Sequence, residues 1–321
     1  MSIPQEVTLP SGVKYTQPLG LFINNENVAS SGDDVVESYN PATGELILAV
    51  QAADPKADVD RAVKAARDAF PQWRDLPAVE KRDLFYKLCA LIEENIDILS
   101  QVESMDTGKP VKANARYDIL ELVSVLKYYA GWIDKSNGQS FVPQPNKLCY
   151  TVHQPLGVVG CIIPFNYPLA MMSWKWTAIA TGNTTVFKSA EQTPLSILFF
   201  AQLVKEAGFP PGVFNVISGL GETVGDALVK HLDVNKIAFT GSTKVGQMIQ
   251  RNAAVNLKPV TLECGGKSPV LVFEDADIEQ AAKWAAFGIF NNMRQICSGT
   301  SRCFVQESKY EEFIEKLAKH V

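Results

Sequence analysis

The sequence has 321 residues, 46% hydrophobic and 20% charged, which is apolar material enough for about two domains with buried cores. That balance excludes a disordered chain, a collagen repeat and a coiled-coil rod. The net charge of −5, from 30 Lys and Arg against 35 Asp and Glu, argues against a broad nucleic-acid surface and leaves phosphate contacts to a local small-molecule site.

Residues 21–28 read as an edge strand, and SYNPATGELILAV as a turn followed by a strand. Asp54-Pro55 is a helix start, and the helix after it carries Val63, Ala66 and Phe70 at core spacing. A second helical region over about 79–105 is expected to bury Leu84, Leu88, Leu91, Ile92 and Leu99. A third follows over 119–132. Residues 135–150 are polar and extended, with Pro143 and Pro145, and fit a projecting arm or a surface loop equally well. Residues 148–174 carry no charged group apart from His153, yet Gln154, Pro155, Gly157, Gly160, Pro164, Asn166 and Pro168 interrupt them. A buried strand and a loop are expected there, not a membrane span.

From Gly157 the texture changes. GVVGCII, TTVFK, VFNVIS, KIAFT and SPVLVF are short apolar runs, mostly separated by helical periodicity. Strands apolar on both faces that alternate with helices make a parallel sheet covered on both sides. This is a doubly wound, Rossmann-like α/β fold, which takes nucleotides at the carboxyl ends of its strands. A helix over 278–292 and a strand over 302–305 complete the chain.

The six cysteines, at 89, 149, 161, 264, 297 and 303, contain no CxxC pair, and the three histidines do not cluster. No structural zinc site, disulfide framework or metal ligand is expected. Reduced thiols, and an N-terminus with neither an apolar signal core nor an Arg-rich presequence, point to the cytoplasm.

Several segments are candidates for chemistry. KIAFTGSTKVGQMI sets Gly241 and Ser242 between a strand and a helix, where unpaired N–H groups suit a pyrophosphate. A plain Gly-Ser turn fits as well. Two other phosphate patterns fail: GGKS at 265–268 has Thr261 where a Walker A loop needs glycine, and Gly219-Leu220-Gly221 reaches Gly225 one residue late for GxGxxG. Lys188 closes TTVFK with Glu191 three residues on, a pair suited to ribose hydroxyls or an ordinary surface ion pair. Cys297, in NNMRQICSGTSR, is a candidate nucleophile or an inert core thiol. Glu263, in TLECGGKSP, is a candidate base or a turn cap.

Taken in order, FNYP at 165–168, FKSAEQTP at 187–194, FTGSTKVG at 239–246, LECGGKSP at 262–269 and QICSGTSR at 295–302 resemble the aldehyde dehydrogenase superfamily, from about residue 21 to the end. The resemblance implies oxidation of an aldehyde to its acid, with Cys297 adding to the carbonyl and passing through a thiohemiacetal and a thioester. The Asn166 side-chain amide and the Cys297 backbone N–H would hold the oxyanion, and Glu263 would activate the hydrolytic water. It also implies cofactor contacts at Lys175, Lys188, Glu191, Gly221, Gly225, Gly241, Ser242, Val245 and Gly246. NAD is expected over NADP, because the Glu191 carboxylate repels a 2′-phosphate.

The domain plan implied is a dinucleotide-binding domain over 1–134 and 155–262, an oligomerisation arm over 135–154 and the start of a second α/β, catalytic domain over 263–321. Three departures stand out: Phe165 for the family tryptophan, Cys264 for leucine and Arg294 for glycine. An arginine where glycine serves backbone freedom or lack of bulk would distort the nucleophile loop or crowd the nicotinamide. Family members run further, so a C-terminally truncated chain is expected, homo-oligomeric once the remainder is supplied. Its partner would be a small-molecule aldehyde, without nucleic acid or membrane. The alternative is an impaired or inactive member acting as a nucleotide-binding or structural protein.

Overall fold

The apolar runs after residue 157 pair side by side in the computed structural model, which describes residues 4–321. Val158–Ile162 lies in the middle, parallel to Thr184–Lys188 on one side and to Lys236–Gly241 on the other. The full sheet runs Val260–Cys264, Lys236–Gly241, Val158–Ile162, Thr184–Lys188, Phe214–Ile217, Leu21–Ile23 and Glu26–Val28. Successive side chains of a strand point to opposite faces, so Val186 and Phe187 are both buried but join different clusters. Phe187 joins the side where the Trp176 ring sits 5.4 to 5.6 Å from Phe85, Phe200, Phe209 and Phe214. Val186 joins the side packed by Val59, Ala62, Val63 and Ala66 of helix Ala57–Asp75. This is the doubly wound parallel sheet expected from the sequence.

The order of the strands positions the site. After the hairpin over residues 21–28, which forms one edge, the chain lays down Val158–Ile162, adds two parallel strands on the hairpin side, then returns to the other side with Lys236–Gly241. A reversal of this kind opens a crevice at the carboxyl ends of the two strands that flank it.

Several local expectations are corrected. Residues 21–28 form a hairpin and not one edge strand, because Asn24 and Asn25, at φ 57° and 61°, make the two-residue turn. The region over 79–105 is two helices, Ala78–Glu94 and Ile96–Thr107, broken at Asn95 (φ −103°, ψ 14°), whose Nδ2 donates to the Leu91 carbonyl at 2.8 Å. Within it Leu84 and Leu91 are only half-buried, while Leu88, Ile92 and Leu99 are buried. Residues 135–150 contain an antiparallel hairpin, Ser140–Gln144 with Lys147–Tyr150, on which Phe141, Val142, Leu148 and Tyr150 are all exposed. The helix expected to reach Asn292 ends at Phe290. SPVLVF lies outside the large sheet: Pro269–Val272 pairs in parallel with Arg302–Val305. No helix of the described residues is long and apolar enough to cross a membrane.

The chain divides into two compact units. One runs to Thr240 and includes Val245–Leu262; the other is Gly241–Lys244 with Glu263–Val321. The second has its own small core of Val272, Ile278, Ala282, Ala285 and Phe313. Its helix Ile278–Phe290 connects the two parallel strands and is capped by Asp277, whose carboxylate accepts the Gln280 N–H at 3.1 Å.

Candidate functional site

The crevice at the strand ends is a narrow cleft with Ile162, Gly221, Gly225, Val245, Met248 and Ile249 among its walls. Ile162 is the last residue of strand Val158–Ile162 and pairs in register with Lys188. Lys188 therefore stands on the same carboxyl edge, with its carbonyl accepting the Ile163 N–H at 3.2 Å. It is no surface residue: Lys188 is 2% exposed, and its ammonium donates to Glu191 Oε2 at 3.0 Å. Burial pulls its pKa down, and the Glu191 carboxylate works against that shift. Lys175 reaches the edge from helix Pro168–Lys175 and donates to Thr240 Oγ1 at 2.7 Å.

Gly221 and Gly225 test whether a nucleotide fits here. Neither has positive φ, and a Cβ on either would meet no atom within 4 Å. Packing and backbone therefore make no demand for glycine, and the absent side chains leave room for a ligand to approach closely. The apolar walls suit a flat aromatic ring. Gly241 ends its strand, exposed Ser242 follows, and helix Thr243–Ala253 begins, carrying Val245 exposed and Gly246 buried.

Cys297 lies in the second unit, exposed, in a loop fixed by backbone bonds. Gly266 N–H donates to the Cys297 carbonyl at 3.1 Å, and Thr300 N–H to the Gly288 carbonyl at 3.0 Å. A Cβ on Gly266 would sit tightly, 3.0 Å from that carbonyl oxygen, and one on Gly288 would collide with the Thr300 side chain. Gly266 is three residues past Glu263, which lies exposed on strand Val260–Cys264. The fold thus ties the segment bearing Glu263 to the loop bearing Cys297.

Between helix Ile278–Phe290 and Cys297 the backbone makes a left-handed turn. Asn292, Met293 and Arg294 have φ of 46°, 56° and 67°. Each left-handed non-glycine residue other than Asn or Asp costs roughly 1–2 kcal/mol. The sequence expected a reason for glycine at 294, and backbone freedom is one. Arg294→Gly is therefore expected to raise stability by roughly 0.5–1 kcal/mol, the unfolded chain's extra freedom taking back part of the gain. Arg294→Ala, which keeps the strain, should match the native chain in urea unfolding. Equal midpoints for the glycine and alanine forms would remove the strain argument.

Asn166 belongs to the first unit, and its carbonyl accepts from Lys109 Nζ at 2.9 Å. Around that ammonium lie the buried acids Glu103 and Asp118, with Asp106 also buried nearby in sequence. The sequence reading missed this cluster. Its signal is a helix carrying Glu103 and Asp106 one turn apart, stopped by Gly108 directly before the lysine. Burial pushes Glu103 up to about 7 against the pull of Lys109, and holds Asp106 well above the usual range. The folded state then keeps a proton on Glu103 that the unfolded chain releases from about pH 4.5 upward, so stability falls as pH rises toward 7. Between about pH 5 and pH 8, Glu103→Gln should gain on the native chain in urea midpoint. A constant difference across that range would refute the assignment.

Among the described residues, no group of three or more His, Cys, Asp or Glu is placed to hold a metal ion. His231 pairs with Asp60 and His320 with Glu279, each at 3.0 Å.

A model of the aldehyde dehydrogenase family matches residues 28–321. The NAD(P)+ aldehyde dehydrogenase 2 of Saccharomyces cerevisiae is 52% identical over 309 residues, 95% of this chain and 61% of that protein. An aldehyde dehydrogenase of Emericella nidulans is 52% identical over 308 residues, 95% of this chain and 62% of that protein. Among solved structures, the NAD+ complex of the Bacillus cereus aldehyde dehydrogenase matches with a TM-score of 0.91 at 48% identity, over 94% of this chain and 62% of that one. The chain spans about three-fifths of the length of these curated relatives.

Proposed function

Since the chain belongs to the aldehyde dehydrogenase family, we propose that it carries the nucleotide site and the nucleophile of an NAD-dependent oxidation of an aldehyde to its acid. The Cys297 thiolate adds to the carbonyl carbon, while the Asn166 side-chain amide and the Cys297 backbone N–H donate to the oxyanion. Bound NAD supplies the acceptor for the hydride that leaves the adduct carbon. Cys297 then carries a thioester. Glu263 takes a proton from water as its oxygen attacks the acyl carbon, and the acid departs with return of the thiolate.

Lys188 and Glu191 would hold the ribose hydroxyls, with Gly221, Gly225, Val245 and Gly246 allowing close approach. Gly241 and Ser242 would meet the pyrophosphate, and Lys175 would support the cofactor from Thr240. The observation that supports the reading most is the Gly266–Cys297 backbone bond at 3.1 Å, which keeps an exposed thiol and the Glu263 segment together.

The test follows NADH formation with short aliphatic aldehydes, alongside calorimetric titration of NAD and NADP. NAD should bind more tightly, and Glu191→Gln should narrow the gap by about tenfold, the order of one close charge repulsion in a wet site. Equal affinities in the native chain would defeat the role given to Glu191. One observation favours a second reading, a nucleotide-binding protein without turnover: the left-handed Arg294 three residues before the nucleophile. NAD binding with no NADH from any aldehyde would select it.

A further inference from the structure

Helix Ile96–Thr107 ends on Gly108, whose φ of +75° reverses the chain in a way L side chains resist. A Cβ there would also collide with Pro41. The reversal carries Lys109 inward, where it is 1% exposed. Its Nζ donates to Asp118 Oδ2 at 2.6 Å and to the Asn166 carbonyl at 2.9 Å. The same ammonium lies 3.5 Å from Glu103 Oε1 and 4.5 Å from the centre of the Tyr167 ring. Glu103 accepts the Leu169 N–H on its other oxygen at 3.2 Å, near the start of helix Pro168–Lys175. The segment 166–169 is thus gripped twice, by a cation on a carbonyl and by a carboxyl oxygen on an N–H.

An apolar side chain would fill this space without the desolvation cost of an ammonium. The charge therefore calls for a use, and the contact with Asn166 supplies one. We propose that Lys109 is a positioning residue for Asn166: its ammonium locks the Asn166–Tyr167 peptide plane, and with it the direction in which Asn166 presents its side-chain amide. The proposal rests on the reading of Asn166 as the oxyanion donor. Lys109 does not touch the reacting atoms in this account; it acts through a peptide plane, where a small misplacement carries a large rate penalty.

The sequence contains a single Asn-Tyr pair, so asparagine labelled at its carbonyl carbon and tyrosine labelled at its amide nitrogen mark one peptide. The Asn166 carbonyl resonance should lie downfield, as for a carbonyl bonded to a cation. In Lys109→Met combined with Asp118→Asn, which removes the ammonium together with a counter-charge, it should move upfield. Lys109→Gln, a shorter neutral donor, reads the same resonance if the double variant does not fold. The NADH burst should slow about 10- to 100-fold with the KM for NAD unchanged, and the same changes should add no further loss to Asn166→Ala.

Losses that add to those of Asn166→Ala would mark a structural role, and an unmoved resonance in a folded variant would overturn the lock. An unchanged burst in Asn166→Ala alone would instead overturn the oxyanion reading. The resonance, which needs no turnover, would still report whether the lock exists.

Discussion

Cys297→Ala is expected to lower aldehyde oxidation by on the order of a thousandfold or more, since no other side chain would form the covalent adduct. The six thiols differ enough for labelling to test this independently of turnover. Cys89 and Cys161 are buried, and burial pushes both up to about 12, so neither supplies thiolate near neutral pH. Cys303 is exposed but shifted upward in the same direction. Cys149 and Cys264 are half-buried, which leaves Cys297 as the thiol with open access on a fixed loop. Alkylation mapped by mass spectrometry should modify Cys297 first and reach Cys89 and Cys161 only on unfolding. A fast phase that survives Cys297→Ala, or retained turnover, would end the nucleophile assignment.

Glu263→Gln should separate the two halves of the reaction. Acylation needs no base at this position once the thiolate exists, whereas hydrolysis needs a proton taken from water. Loss of a positioned general base costs typically about 10²- to 10⁴-fold. The expected record is a burst of NADH close to one per Cys297, followed by a stall while the acyl form accumulates. Glu263 is exposed, so water reaches it freely and the stall reflects lost basicity, not lost access. A small nucleophilic amine should restart turnover by taking the acyl group directly. If the burst vanishes along with the steady state, Glu263 acts before the thioester and its role must be moved.

The parallel sheet was legible because it depends on local pattern. Apolar runs such as TTVFK and KIAFT read as strands buried on both faces, and they occupy that place as Thr184–Lys188 and Lys236–Gly241. The Gly-Ser junction at 241–242 and the cysteine loop were legible as motifs for the same reason. Residue 21–28 misled because the apolar pattern carries no record of two asparagines adopting positive φ. SPVLVF resembles the other runs in composition, yet its pairing partner is Arg302–Val305, far along the chain. Nothing within the run distinguishes one sheet from another.

Composition and the order of its motifs alone determined the family, the doubly wound sheet and the identities of the nucleophile and base candidates. These are properties of neighbouring residues, and a strand or a strand-to-helix turn is specified within a few positions. Tertiary structure decided the rest. It buried Lys188 against Glu191, opened the cleft beside Gly221 and Gly225, turned Arg294 left-handed and brought Lys109 onto the carbonyl of Asn166. Each of these turns on the packing and the backbone path around a residue. Burial and backbone strain are set by that surrounding, and the identity of the residue does not carry it.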